Sequence, residues 1–200
     1  MPIVWVESQA RYRDTDTGRF VSRDTVLDYV RQSIESSGEV TKTLAERVSS
    51  GQLSSREFLT VFKQEIKDEY IRQYVAGRGG LGSMTQQDWG ELGSMIKEQY
   101  NYANNFATEI SGLSEAQIVN QAGMYIEAAN QAFEAGYRKA VTTSGNFSEE
   151  RWVLGGSAEP CSDCTGYAAM GWQPLGTIPT LPGAGATKCK SRCQCHMEYR

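Results

Sequence analysis

Ser54-Ser-Arg-Glu-Phe-Leu-Thr-Val-Phe-Lys-Gln-Glu-Ile-Lys-Asp-Glu-Tyr-Ile-Arg-Gln-Tyr-Val-Ala76 places Phe58, Phe62, Ile66, Tyr70 and Tyr74 four residues apart. That recurrence sets all five on one face of an α-helix, a stripe wide enough to be a core face. Ser54 with Glu57 is a capping-box pair that opens the helix. Gly77-Arg-Gly-Gly80 is expected to stop it near Ala76.

The same pattern repeats on both sides. Upstream, Ser22 is the expected N-cap of a helix over about 23–36, with Val26, Val30 and Ile34 on one face. Ser37–Gly38 is expected to end it, and a short helix to follow from Glu39 to Ser49 with Val40, Leu44 and Val48 inward. Downstream, Thr85 with Asp88 opens a helix whose apolar face is Trp89, Leu92, Ile96, Tyr100, Ala103, Phe106 and Ile110. Ser114 with Gln117 opens another, carrying Ile118, Ala122, Tyr125, Ala129, Phe133 and Tyr137. Long amphipathic helices joined by short Gly-containing turns favour antiparallel packing. The fold class is mainly α: long antiparallel helices with a small C-terminal Cys-rich, zinc-binding knuckle.

The spacing of turn residues divides the chain into an N-terminal arm (1–21), a helical domain (22–145) and a Cys-rich knuckle (146–200), with Ser144–Gly145–Asn146 as the turn-prone boundary. In the arm, Asp14 to Gly18 reads as a tight turn. The arm is expected to order only on assembly.

Composition limits the function classes. The 200 residues are 40% hydrophobic and 22% charged, ordinary values for a globular chain. A net charge of −4 does not suit a protein that coats nucleic acid. Met1 to Val6 is apolar but broken by Glu7, so no secretory signal is expected. No segment approaches the roughly 20 apolar residues of a membrane span. Synthesis in a cytoplasm, with no membrane partner, is the expectation.

All five cysteines fall in the last forty residues: Cys161, Cys164, Cys189, Cys193 and Cys195. An odd number does not suit a complete disulfide framework, and a reducing compartment disfavours one. Cys161-Ser-Asp-Cys164 can hold one metal ion from a tight turn. A second thiol group, Cys189-Lys-Ser-Arg-Cys193-Gln-Cys195, returns after an uncharged Gly/Pro-rich link to complete a tetrahedron. Four of the five are expected to bind structural zinc; disulfides remain the alternative. Lys188, Lys190 and Arg192 are placed to offset surplus thiolate charge.

Trp152 ahead of Cys161 and Cys164, the link Leu181-Pro-Gly-Ala-Gly185, the close Arg192-Cys-Gln-Cys195 and Tyr199 resemble the C-terminal signature of phage minor head proteins of the Mu F-like head-morphogenesis family. Cys189 stands about where many members carry His, and Gln194 where Arg is usual. The tail resemblance covers about fifty residues. A looser one, through Gln64 to Ala76, Gly79-Gly80 and Tyr125 to Phe133, covers about ninety more. The resemblance implies a virion component that assembles with portal or capsid proteins, found in the virion and, during assembly, in the host cytoplasm. It implies no enzyme and no small-molecule substrate.

A rival reading is a zinc-dependent nucleic-acid-binding adaptor, touching packaged DNA through Lys188, Lys190 and Arg192. His196 is the single histidine, so any Ser-His-Asp or Cys-His catalysis would have to use it. Crowded by cysteines, it reads as a surface residue, and no catalytic residue is expected. Asp68/Glu69 and Glu149/Glu150 read as solvated faces. Trp152 reads as packing against the knuckle.

Overall fold

The Phe58–Tyr74 stripe forms the spine of the protein, and all five of its side chains are fully buried. Burying each contributes roughly 1.5–3 kcal/mol. The computed structural model describes residues 3–156 and 159–200. In chain order these form β1 (Ile3–Val6), β2 (Arg11–Asp14), β3 (Phe20–Val21), α1 (Arg23–Ser49), α2 (Ser55–Arg78), α3 (Gln86–Glu109), α4 (Glu115–Glu127), α5 (Asn130–Ser144), β4 (Glu149–Val153), α6 (Ser162–Ala169), β5 (Gln173–Pro174) and β6 (His196–Tyr199). The protein is mainly helical, with two small three-stranded sheets ordered β1-β2-β3 and β5-β4-β6.

The caps fall where the sequence puts them. Ser22 accepts the Thr25 amide, and reciprocal capping boxes form at Ser54/Glu57, Thr85/Asp88 and Ser114/Gln117. Lys63 meets Asn104 while Tyr74 meets Asp88, so α2 and α3 run antiparallel. The α1–α2 pair is antiparallel too, since Val30 meets Gln73 and Ser37 meets Glu69. Phe58, Phe62, Phe106 and Tyr125 form an edge-and-stack aromatic cluster within this core.

Several boundaries differ from the periodicity. Ser37–Gly38 does not end a helix: α1 runs unbroken for 27 residues. Ser37 turns its hydroxyl inward to the Glu69 carboxylate at 2.9 Å, and Gly38 faces open space. A mid-helix glycine costs about 1 kcal/mol, which packing against α2 and α4 outweighs. Conversely, the long helix expected from Ser114 to Tyr137 divides at Ala128–Ala129. There the amides of Ala129, Gln131 and Ala132 bond three residues back, tightening the chain into a short 3₁₀-like turn.

Gly77 does not terminate α2; the helix continues to Arg78 and ends at Gly79 in the left-handed conformation. Gly77 and Gly136 instead form the point where α2 crosses α5. A Cβ at Gly77 would lie 2.2 Å from the Phe133 carbonyl oxygen, and one at Gly136 2.4 Å from that of Tyr74. Trp89, placed on the inner face by its spacing, is 42% exposed; the side chain one step earlier, Asp88, is buried instead.

The N-terminal arm is a sheet seated on the helices. Tyr12 donates its hydroxyl to the Gly77 carbonyl at 2.8 Å, and the Trp5 amide donates to Gly79 at 3.0 Å. Trp5, Tyr12 and Tyr137 meet at ring separations of 5.0–5.8 Å. Order in this segment therefore comes from contacts within the chain, where the sequence suggested a partner would be needed.

Candidate metal centre

The described residues between 146 and 200 build a small unit around the β5-β4-β6 sheet. Glu150 pairs with Tyr199 and Trp152 with Met197, so alternate β4 side chains point inward. The unit's own buried core is Trp152, Cys164, Ile178, Cys193, Cys195 and Met197. Half of those six residues are cysteines, so little ordinary apolar surface holds the knuckle together. Trp152 stacks on Tyr167 at 4.9 Å, fulfilling its expected packing role.

Two buried acid–base tethers fasten the knuckle to α5. Arg138 grips Glu150 with two hydrogen bonds of 2.9 and 2.6 Å and also donates to the Ile178 carbonyl. Glu150 in turn accepts the Ile178 amide at 2.8 Å. Glu134, fully buried on α5, pairs with Arg23 at 3.1 Å and accepts the Met197 amide at 3.3 Å. Burial raises its pKa, opposed by Arg23 and the Met197 amide. Glu150 is thus not on a solvated face. Neither is Glu69, which accepts from Ser33, Ser37, Arg72 and Gln73 inside the helical body. The one clue to Glu150 in the sequence is its two-residue spacing from Trp152 on a short strand.

The cysteines converge. Cys161 occupies the N-cap position of α6 and Cys164 lies in its first turn, where helix amides favour thiolate. Cys189, Cys193 and Cys195 come from the loop around a one-turn 3₁₀ helix, Lys190–Arg192, entered through Lys190 in the left-handed conformation. All five are free cysteines. Sulfur separations are 3.6 Å for Cys161–Cys189, 3.5 Å for Cys164–Cys189 and 3.6 Å for Cys164–Cys193. A tetrahedral ion with metal–sulfur bonds near 2.3 Å requires sulfur–sulfur edges of about 3.8 Å. The donor set therefore fits a thiophilic ion.

The grouping differs from four ligands and a spare. The sulfurs form two sets of three, Cys161/Cys164/Cys189 and Cys164/Cys193/Cys195, each mutually within 4.8 Å and sharing Cys164. Each set could hold a metal ion.

Backbone donors favour the charged form at two positions. At Cys161, burial raises the thiol, but the Cys164 and Cys189 amides and the neighbouring thiols outweigh it and bring it down to about 7. Cys195 is lowered to about 5, chiefly by the Cys193 thiol and against its burial, with help from the Gly155 amide. Cys193 is raised by its hydrogen bond to Cys195, and Cys164 by burial. Gly155 reaches Cys195 because it has no side chain; a Cβ there would sit 2.1 Å from the Gln194 carbonyl oxygen.

The basic residues are mostly engaged elsewhere. Arg192 pairs with Glu127 at 3.2 Å and also bonds Asn120, and the Lys188 ammonium donates to Ser162 at 2.7 Å. His196 is half-buried, less exposed than a surface residue would be. Its side chain is 20% exposed, Nε2 lies 3.7 Å from Glu198, and Nδ1 is buried without a hydrogen-bond partner among the described residues.

No family model matches the chain, and no curated protein or solved structure matches it. No helix among the described residues is long and apolar enough to cross a membrane.

Proposed function

We propose that the protein is a structural component of a tailed-phage virion, a minor head protein acting in head assembly through portal or capsid contacts, with a zinc-held C-terminal knuckle and no catalytic role. One observation carries this reading. Trp152, Cys161, Cys164, Cys189, Cys193 and Cys195, the positions that resemble the minor-head signature, gather in one cluster tied to α5. An all-thiolate donor set suits zinc, which structural sites commonly hold through cysteine sulfur. The knuckle's thin apolar core gives such an ion a reason to be there, because binding energy then becomes folding energy. Fastened through Glu134 and Glu150, the knuckle presents a fixed surface for docking.

The adaptor reading, in which Lys188, Lys190 and Arg192 bind DNA, has less support: Arg192 and Lys188 are already hydrogen-bonded within the chain. The test is co-expression with the portal and major capsid proteins of the same phage. A salt-resistant complex that co-purifies with portal or capsid is expected. Absence of any such complex, together with salt-sensitive DNA binding lost when the three cations are neutralised, would overturn it in favour of the adaptor.

A further inference from the structure

We infer that the five cysteines form a two-ion site for thiophilic d¹⁰ cations such as zinc, with Cys164 as the bridging thiolate. This rests on the metal-centre reading above and specifies its stoichiometry.

A single tetrahedral ion needs four sulfurs with every pair near 3.8 Å. Among the described residues, the sulfurs close into two triangles and no foursome. Cys164 is the vertex they share, 3.5 Å from Cys189 on one side and 3.6 Å from Cys193 on the other. To build one four-thiolate site, a sulfur of one triangle would have to move round Cys164 into the other. To build two sites, each ion caps the triangle already present and both bind Cys164.

Charge favours the same arrangement. Cys164, Cys193 and Cys195 are buried. Four thiolates on one divalent ion, with the fifth cysteine left as a thiol, leave two negative charges there, whereas five thiolates on two ions leave one. Buried uncompensated charge is costly, and Arg192 and Lys188 are held by Glu127 and Ser162. On loading, the thiols give up their protons to solvent. Three sulfurs per ion leave each a fourth position for a water or small ligand. The Cys193/Cys195 side borders a surface cleft of about 570 Å³ between α1 and the knuckle, which offers an entry route.

The full-length chain, stripped of metal under reducing conditions, is titrated with Cd²⁺ and read by native mass spectrometry. Saturation at two ions per chain is expected, with ¹¹³Cd NMR giving two resonances split by cadmium–cadmium coupling through the shared sulfur. Cys161→Ser and Cys195→Ser should each retain one ion and lose the splitting. Cys164→Ser should lose it too, and the other two variants keep the test valid should that one not fold. Saturation at one ion overturns the bridged pair and leaves a mononuclear centre standing; two ions without coupling overturn the shared Cys164 and leave two separate sites. Binding of no ion overturns both.

Discussion

Gly77→Ala should destabilise the protein although alanine is the better helix former. The new methyl group would meet backbone on α5, 2.2 Å from the Phe133 carbonyl oxygen and 2.8 Å from the Tyr137 amide nitrogen. Neither is a flexible side-chain end that can turn away. Restoring an ordinary contact of about 3.5 Å requires the two helices to separate by about 1 Å. That loosens Tyr74, Phe133 and Ala140, which are fully buried beside the crossing. Forced overpacking costs about 1–3 kcal/mol, and more where backbone must shift; the propensity gain offsets about 1 kcal/mol. A net loss of about 2 kcal/mol is expected by urea denaturation. Gly38→Ala is the matched control: it is also mid-helix, has nothing within 4 Å, and should stabilise by about 0.5–1 kcal/mol. If Gly77→Ala proves as stable as Gly38→Ala, the close crossing of α2 on α5 is wrong.

Three further outcomes test the tethers and the sulfur cluster. Arg138→Met leaves the Glu150 carboxylate buried without its cation and should cost about 3–5 kcal/mol in denaturant unfolding; a loss under about 1 kcal/mol would show that the tether does not hold the knuckle. Asp88 sits below its ordinary pKa of 3.8 because, although burial raises it, the Thr85 amide and hydroxyl and the Arg78 guanidinium together lower it further. Its contribution is therefore present above the unfolded pKa and lost as pH falls through the folded one, so the stability gap between wild type and Asp88→Asn should close below about pH 4; a gap that widens there refutes the assignment. Stripping metal with a chelator should speed hydrogen exchange across residues 154–196 while helical circular dichroism persists. Unchanged exchange would mean the knuckle needs no ion.

The helices were legible because their signals are local. A capping box spans four residues, and a stripe repeats within one element, so Ser54/Glu57 and Phe58–Tyr74 need no knowledge of the rest of the chain. The misreading at Ser37–Gly38 has a distant cause: a local habit of ending helices is overridden by Glu69 on α2. The Gly77–Gly80 stretch does end α2, at Gly79, but the part Gly77 plays where α2 crosses α5 depends on Phe133, which its neighbours in sequence do not reveal. The same holds for the buried carboxylates. Apart from the Trp152 spacing at Glu150, nothing near Glu134 or Glu150 in sequence announces a buried acid, because their arginines lie 111 and 12 positions away. Cysteine spacing foretold that the Cys161/Cys164 pair would meet the later thiols, with four of the five as ligands and one spare. Their division into two triangles depends on how a 24-residue link brings the second group back, and spacing does not encode that path.

The knuckle is held by contacts that differ in what they respond to. The Glu134 and Glu150 tethers are buried, so salt screens them little; the proposed metal centre would answer instead to metal and to redox state. The two meet at the close of the chain. The Met197 amide is bonded to Glu134, two residues after Cys195 and on the strand that pairs with β4. Any displacement of Cys195 is therefore resisted by α5 through a link of two residues, and a shift in α5 reaches the sulfur cluster by the same route. Cys161 and Cys164, by contrast, are carried by the short helix α6, whose own link to the body runs through β4 and the Trp152–Tyr167 stack. Loss of metal should accordingly free the Cys161/Cys164 side first and leave Cys195 near its present place. A docking surface that includes β6 would then survive metal loss, whereas one that includes α6 would not.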